Sequence, residues 1–338
     1  MIKNIKNLFF TLVAVFLTAT SCFAFSLRET TLKFVQISDS HISDRENTSF
    51  KMLSQSKNFL KDAIEQINKE EAIDFVMFTG DMVDEPYYDS YRDFWMLLYE
   101  LKYPVLMTLG NHDAHFEDSK NEDSVSVEEV VKLISDCNPN QKQNKSYWSV
   151  GLRGNFHIIV LDLRTDKISS NGYISEEQLK FLDKELNENK DKVVLIFEHH
   201  PVLEPFQSDS HKVLNAQDYF DVLNKYTNPI AIFSGHYHTT KITRLDNIIH
   251  VSSPSLVTYP NAFRIVNITN YRDRTIFDFY FKETKLKEAQ AEAKANTIAA
   301  ATFAGVEKDR NTTIVIKKKI VKDKKAKKKK NGKDESKI

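Results

Sequence analysis

Two cysteines in 338 residues are too few for a disulfide framework, and they leave no set of thiolates from which to build a site. If Cys22 departs with a leader, Cys137 has no partner within the chain. Long hydrophobic runs are missing too: none reaches the roughly 20 apolar residues of a spanning helix, which excludes a multi-span membrane protein. Net charge is absent, with 47 basic and 47 acidic residues, but that zero averages unlike parts. Residues 307–338 hold 14 basic and 5 acidic groups; with that segment and the first 24 residues set aside, 31 basic residues face 42 acidic ones. A core of that sign disfavours a grip on nucleic acid. No internal repeat is visible. What is present, 28% charged and 41% hydrophobic residues, describes a globular chain. At this length it can bury roughly three quarters of its unfolded surface without staples, so any metal would be there for chemistry.

The first 24 residues read as an export signal. Lys3 and Lys6 precede an apolar run from Leu8 to Leu17, and small residues lead to Cys22-Phe23-Ala24, with cleavage expected after Ala24. The mature protein is then expected in the periplasm or outside the cell. An uncleaved anchor and a lipid-anchored form at Cys22 are the lesser readings. For the latter, Ala19 stands where lipoprotein signals usually carry Leu.

Past the leader, apolar runs alternate with amphipathic stretches, the pattern of a layered sheet-and-helix domain. Leu32 to Ile37, Asp74 to Thr79, Pro104 to Leu109, Phe156 to Leu161, Val193 to Phe197 and Pro229 to Phe233 are expected core strands. Ser49 to Lys69 is an expected helix, and Ser175 with Gln178 marks a capping box opening another. The aromatic run at Phe94, Trp95 and Tyr99 reads as a helix face on the core. From Lys241 onward, strand-like segments follow one another without helices, suggesting a second, more antiparallel sheet. The expected organisation is a domain over 25–282, an Ala-rich helix over 283–306, and a Lys-rich disordered tail over 307–338. That tail is usually a solubilising appendage, with contact to an anionic surface as its alternative role.

The informative residues follow the strands. Asp39 and His41 come after the first, Gly80-Asp81 after the second, and Gly110-Asn111-His112-Asp113 after the third. Glu198-His199-His200-Pro201 and Gly235-His236-Tyr237-His238 follow the fifth and sixth. Loops beyond the carboxyl ends of strands in an open α/β sheet converge on one crevice, so these groups are expected to meet. Six of the ten histidines lie here, and three of the eight glycines directly precede these blocks, where a sharp exit needs positive φ or close approach. Asp, Asn and neutral His suit Zn, Mn or Fe. Two ions use this many ligands better than one tetrahedral site, and two ions can hold both the attacking and the leaving oxygen of a displacement at phosphorus.

The five blocks, in this order, resemble the calcineurin-like metallophosphoesterases over roughly residues 32–260. Gln36-Ile37-Ser38 and the interval from His199 to His236 look most like the branch with bacterial cyclic-nucleotide phosphodiesterases and relatives of acid phosphatases. The resemblance implies an α/β fold, a layered αββα sandwich of two mixed sheets flanked by helices. It implies two divalent or trivalent ions (Mn, Fe or Zn), with Asp39, His41 and His238 on the first, Asn111, His199 and His236 on the second, and Asp81 bridging. It makes His112 a substrate-facing acid or phosphoryl stabiliser, with Asp113 holding it in orientation. The purple acid phosphatase subgroup has Tyr three residues after the bridging Asp; here Asp84 stands there, which argues against an iron–tyrosinate site.

Taken singly, each block has an ordinary reading as a polar loop or turn. His200 should point away from His199, and His115, His157, His211 and His250 read as surface or packing residues. The joint occurrence of the blocks, each after an apolar strand, favours the metallophosphoesterase fold, and with the leader the expected protein is an exported phosphoesterase. It is expected to hydrolyse a small-molecule phosphomonoester or phosphodiester by attack of a metal-bridging hydroxide. A nuclease on the same scaffold and a non-catalytic metal-binding scaffold are the rivals. The acidic core argues against the first, and the complete ligand set against the second. The loops Asn138 to Lys145 and Val202 to Leu214 are where substrate selection is expected, and the oligomeric state is not legible.

Overall fold

Each apolar run marked above as a core strand is a strand in the computed structural model, which describes residues 29–116, 119–121, 123–165 and 169–318. The expected leader at 1–24, Cys22 with it, and the tail from 319 onward lie outside the described residues. In chain order the first half comprises β1 (Thr30–Ile37), α1 (Ser56–Ile67), β2 (Phe75–Thr79), α2 (Tyr88–Leu98), β3 (Val105–Thr108) and α3 (Val127–Cys137). Then come β4 (Trp148–Leu152), β5 (Phe156–Val160), α4 (Glu176–Glu188), β6 (Val193–Phe197), α5 (Ala216–Leu223) and β7 (Ile230–Ser234). The remainder is β8 (Lys241–Leu245), β9 (Ile248–Ser252), β10 (Ala262–Asn270), β11 (Arg274–Glu283), α6 (Lys287–Asn296), α7 (Ala300–Ala304), α8 (Glu307–Arg310) and β12 (Thr312–Lys317).

The strands make two six-stranded sheets, ordered β12-β11-β10-β1-β2-β3 and β4-β5-β6-β7-β9-β8. Within them β1, β2 and β3 run parallel, as do β5, β6, β7 and β9, while the outer strands pair antiparallel, so both sheets are mixed. The sheets face each other across a layer rich in phenylalanine: Phe34 stacks on Phe75 and meets Phe197 and Phe233 edge-on. Each such ring contributes roughly 1.5–3 kcal/mol by leaving water. The outer face of the first sheet is covered by α1, α2, α3 and α6, that of the second by α4 and α5. This is the expected αββα sandwich, and it fixes which strand ends share an edge.

The structure revises several boundaries. The segments after Lys241 do not form a sheet of their own: β8 and β9 complete the second sheet, whereas β10 returns beside β1 in the first. Most of β10 is buried on both faces, which suits an interior position between β1 and β11. The Ala-rich segment breaks into two helices around Ala299, which has φ +59°. Residues 307–317 are folded, contrary to the expected tail: α8 precedes β12, which pairs antiparallel with β11. Ile314 and Ile316 alternate with polar and exposed neighbours and pack on the inter-sheet layer, a period-2 signal that averaging over a Lys-rich segment conceals. The capping box at α4 is half made. Ser175 accepts from the Gln178 N–H, but the Gln178 side chain turns to the Asp162 backbone. Phe94 is buried and Trp95 packs on the core, but Tyr99 is 93% exposed. Asn138 and Gln141, from one expected selectivity loop, instead bind the backbone of β3 and cover that sheet edge.

Candidate metal centre

All seven expected ligands lie at the carboxyl ends of β1, β2, β3, β6 and β7, on one edge of the sandwich. Donor atoms of Asp39, His41 and His238 lie within 4.8 Å of one another, as do those of Asp81, His199 and His236. The two groups adjoin: His199 Nε2 is 3.2 Å from Asp81 Oδ2 and 3.9 Å from Asp39 Oδ1, and His41 Nε2 is 3.6 Å from Asp81 Oδ2. Asn111 joins Asp81, His112, His236 and His238 in lining a crevice of about 410 Å³.

Hydrogen bonds behind the imidazoles fix which nitrogen faces inward. His199 Nδ1–H donates to the Thr79 carbonyl at 2.8 Å, and His236 Nε2–H donates to the Ser170 carbonyl at 2.7 Å. A carbonyl only accepts, so His199 Nε2 and His236 Nδ1 are the nitrogens turned inward. His238 Nδ1 bonds Thr258 Oγ1 at 2.7 Å, and His41 Nδ1 lies 3.3 Å from Asp84 Oδ1. Outer partners of this kind orient metal-binding histidines.

The residues fit a pair of cations. Asn111 Oδ1 and His199 Nε2 are buried without a hydrogen-bond partner, a costly arrangement unless something else satisfies them. The backbone makes room for the carboxylates: a Cβ on Gly110 would sit 2.2 Å from Asp81 Oδ1, and one on Gly235 would sit 2.4 Å from Asp39 Oδ2. Burial opposes ionisation of Asp81, but His199 and His112 overcome it and hold the carboxyl well below the usual range. His199 is likewise disfavoured as a cation by burial, yet Asp81 and Asp39 push it up to about 9. Burial holds His41 down to about 3, keeping its ring neutral, as a ligand requires. The nitrogen and oxygen donors are arranged for two metal ions of the Mn, Fe or Zn type.

Two expectations change. Asp113 is fully buried, but it does not hold His112: its carboxylate accepts from the N–H groups of Met82 and Gly110, tying the second and third loops together. Burial and the Asp81 charge push it up to about 7. The His112 ring is held instead by its Nδ1–H donating to the Asp84 carbonyl at 2.6 Å. His200 is buried behind the crevice with its ring 4.3 Å from that of His236, while His211, read as a surface or packing residue, lines the crevice beside His236. His157 pairs with Glu185, and His250 is buried. The 202–214 loop does reach the site, through Phe206, Ser208, Ser210 and His211.

The sequence reading missed Lys51, Thr258, Ser170 and the outer role of Asp84. Asp84 was visible only as the absence of Tyr, although its position three residues past Asp81 returns it to the same loop. Lys51 carries no motif.

The family model for calcineurin-like phosphoesterases matches residues 32–240, well over half the chain. The chain is 28% identical over 228 residues to a probable glycerophosphodiester phosphodiesterase of Arcobacter nitrofigilis, covering 65% of this chain and 77% of that one. It is 28% identical over 226 residues to a probable cyclic nucleotide phosphodiesterase of Fibrobacter succinogenes, covering 66% and 79%. A crystal structure of a dimetal phosphatase from Danio rerio has the same fold, with a TM-score of 0.57 at 18% identity, covering 75% of this chain and 99% of that one.

Proposed function

The chain belongs to the calcineurin-like phosphoesterase family, and on that premise we propose that it hydrolyses a small phosphoester at a dinuclear centre. Asp39, His41 and His238 would hold one ion and Asn111, His199 and His236 the other, with the Asp81 carboxylate lying between the two groups. The observation that carries this reading is the convergence of these side chains from five strand ends, with His199 Nε2 and His236 Nδ1 turned inward and the Asn111 oxygen unpartnered.

When bound, the two ions supply Lewis acidity toward the phosphoryl oxygens and an activated water for displacement at phosphorus. The chain's own residues do the rest. His112 donates from Nδ1 to the Asp84 carbonyl, so its Nε2 faces the crevice and can hold a proton for the departing oxygen. Asp113 fixes the loops that carry Asp81 and Asn111, and the His112 N–H donates to Asp81 Oδ1 at 2.9 Å. Relatives named for cyclic nucleotides and for a glycerophosphodiester support a small ester, and the size of the crevice accommodates one. Export, with the mature chain beginning at Phe25, is part of the proposal.

The test is a panel of p-nitrophenyl phosphate, bis-p-nitrophenyl phosphate, a cyclic nucleotide, a glycerophosphodiester and DNA, run on protein reconstituted separately with Mn, Fe and Zn. Hydrolysis of a small ester that chelation abolishes is expected. Two bound equivalents of metal with no turnover across the panel would favour the scaffold reading instead, and DNA cut faster than either nitrophenyl ester would favour the nuclease. N-terminal sequencing of secreted protein checks Phe25.

A further inference from the structure

Among the described residues that line the crevice, Lys51 is the one Lys or Arg. Its Nζ lies 3.4 Å from His112 Nε2, from His41 Nδ1 and from Asp84 Oδ1, and the side chain is 11% exposed. All three contacts are long for a hydrogen bond, so a phosphoryl oxygen can compete with them for the ammonium. Asp84, its one carboxylate partner, also engages Arg45 at 3.0 Å. The position is built rather than incidental. The Thr48 N–H donates to the Lys51 carbonyl, the Lys51 N–H donates to Thr48 Oγ1, and the next residue is pinned to β-sheet-flanking backbone by the Met52 N–H donating to the Val257 carbonyl. A fixed cation thus stands beside the atom that would protonate a leaving group.

The phosphoryl group tells what such a cation can read. A phosphomonoester has three unesterified oxygens and close to two negative charges at neutral pH, whereas a diester has two such oxygens and one charge. Two cations can each take one oxygen; only a monoester leaves a third, charged oxygen for a donor from the protein. Lysine serves phosphate as a point charge, without the geometric demands of arginine. We propose that Lys51 is a specificity-determining residue that favours phosphomonoesters, its ammonium binding the third unesterified oxygen that a diester lacks. The inference rests on the phosphoester reading above and narrows its substrate class.

The experiment compares the full chain with Lys51→Gln and Lys51→Arg, each reconstituted with Mn²⁺. It measures metal content, calorimetric binding of inorganic phosphate and of dimethyl phosphate, and kcat/KM for p-nitrophenyl phosphate and its bis ester. Loss of one hydrogen bond to a charged group predicts that Lys51→Gln weakens inorganic phosphate about ten- to hundredfold, with dimethyl phosphate within about twofold. The monoester-to-diester ratio of kcat/KM falls by a similar factor, and Lys51→Arg recovers most of it. Equal weakening of both anions, no weakening of either, or loss of metal from Lys51→Gln overturns the assignment. A wild-type chain that hydrolyses neither ester defeats the phosphoester reading, while the two binding measurements still decide the role of Lys51.

Discussion

Phe197 and His199 are two residues apart at the end of β6, yet they serve opposite ends of the molecule's economy. Phe197 lies fully buried in the inter-sheet layer, stacked near Phe233 and edge-on to Phe34. His199 is equally buried, but among carboxylates and imidazoles. The same contrast separates Phe34 from Asp39 on β1 and Phe75 from Asp81 on β2. The layer is regular strand with apolar contacts. The crevice is backbone held where side chains rarely sit: Asp39, His41, Asp81, His236 and His238 all have φ between +42° and +68°, five of the ten non-glycine residues with positive φ among those described. Each such residue costs of order 1 kcal/mol, which persists only if the surrounding structure enforces it. The layer therefore supplies the stability that allows the crevice to be both strained and polar.

If the two regions have separate roles, changes in one should leave the signature of the other intact. The largest effect is expected from Asp81→Asn, which removes the carboxylate proposed to be shared by the two ions. Turnover should fall by well over the roughly 10- to 100-fold typical of losing an outer partner, and metal analysis should show fewer than two equivalents. If, as proposed, the His112 ring meets substrate rather than metal, His112→Ala should cost about 10²- to 10⁴-fold in turnover while both ions remain. An empty mutant would remove His112 from the acid role. Phe197→Ala should do the reverse of Asp81→Asn: a loss of about 3–5 kcal/mol in denaturant unfolding, with activity per folded molecule nearly unchanged. Thr258→Val removes the hydroxyl behind His238 without changing shape, and should weaken metal binding by about 10- to 100-fold.

The same comparison explains what could be read before any coordinates. Six core strands and five ligand blocks were legible because both regions write a local signature: apolar β-branched and aromatic runs for the layer, and Asp, Asn, His and Gly directly after them for the crevice. Legibility failed where a residue acts through the path of the chain in space. Nothing in the sequence distinguishes β10, which returns to β1, from β9, which stays with β7, since both are short apolar runs. Asp113 is next to His112 in sequence, and adjacency suggested contact; the turn sends its carboxylate inward to Met82 and Gly110 instead. Lys51 lies ten residues from His41 and 61 from His112, and only folding makes it their neighbour. β12 was hidden by averaging, since one buried and one partly buried isoleucine carry it within a segment dominated by lysine.

The smallest prediction asks whether strain itself divides the molecule. Ala72 also sits at positive φ (+57°), in the exposed connection between α1 and β2, and it lies outside the crevice. Alanine gains nothing there from hydrogen bonding, so the left-handed conformation is pure cost, roughly 1–2 kcal/mol, whereas glycine adopts it freely at an entropic cost of roughly 0.5–1 kcal/mol. Ala72→Gly should therefore stabilise the chain by about 0.5–1 kcal/mol in denaturant unfolding and leave turnover and metal content unaltered. The crevice positions do not permit the same gain. At Asp39, His41, Asp81, His236 and His238 a glycine would release comparable strain only by deleting the group for which the conformation is held. A stabilised Ala72→Gly with full activity means that positive φ is a removable fault in the connection and a requirement at the strand ends. An unchanged or lower midpoint for Ala72→Gly would mean that the strained backbone of the crevice cannot be costed by analogy with the rest of the chain.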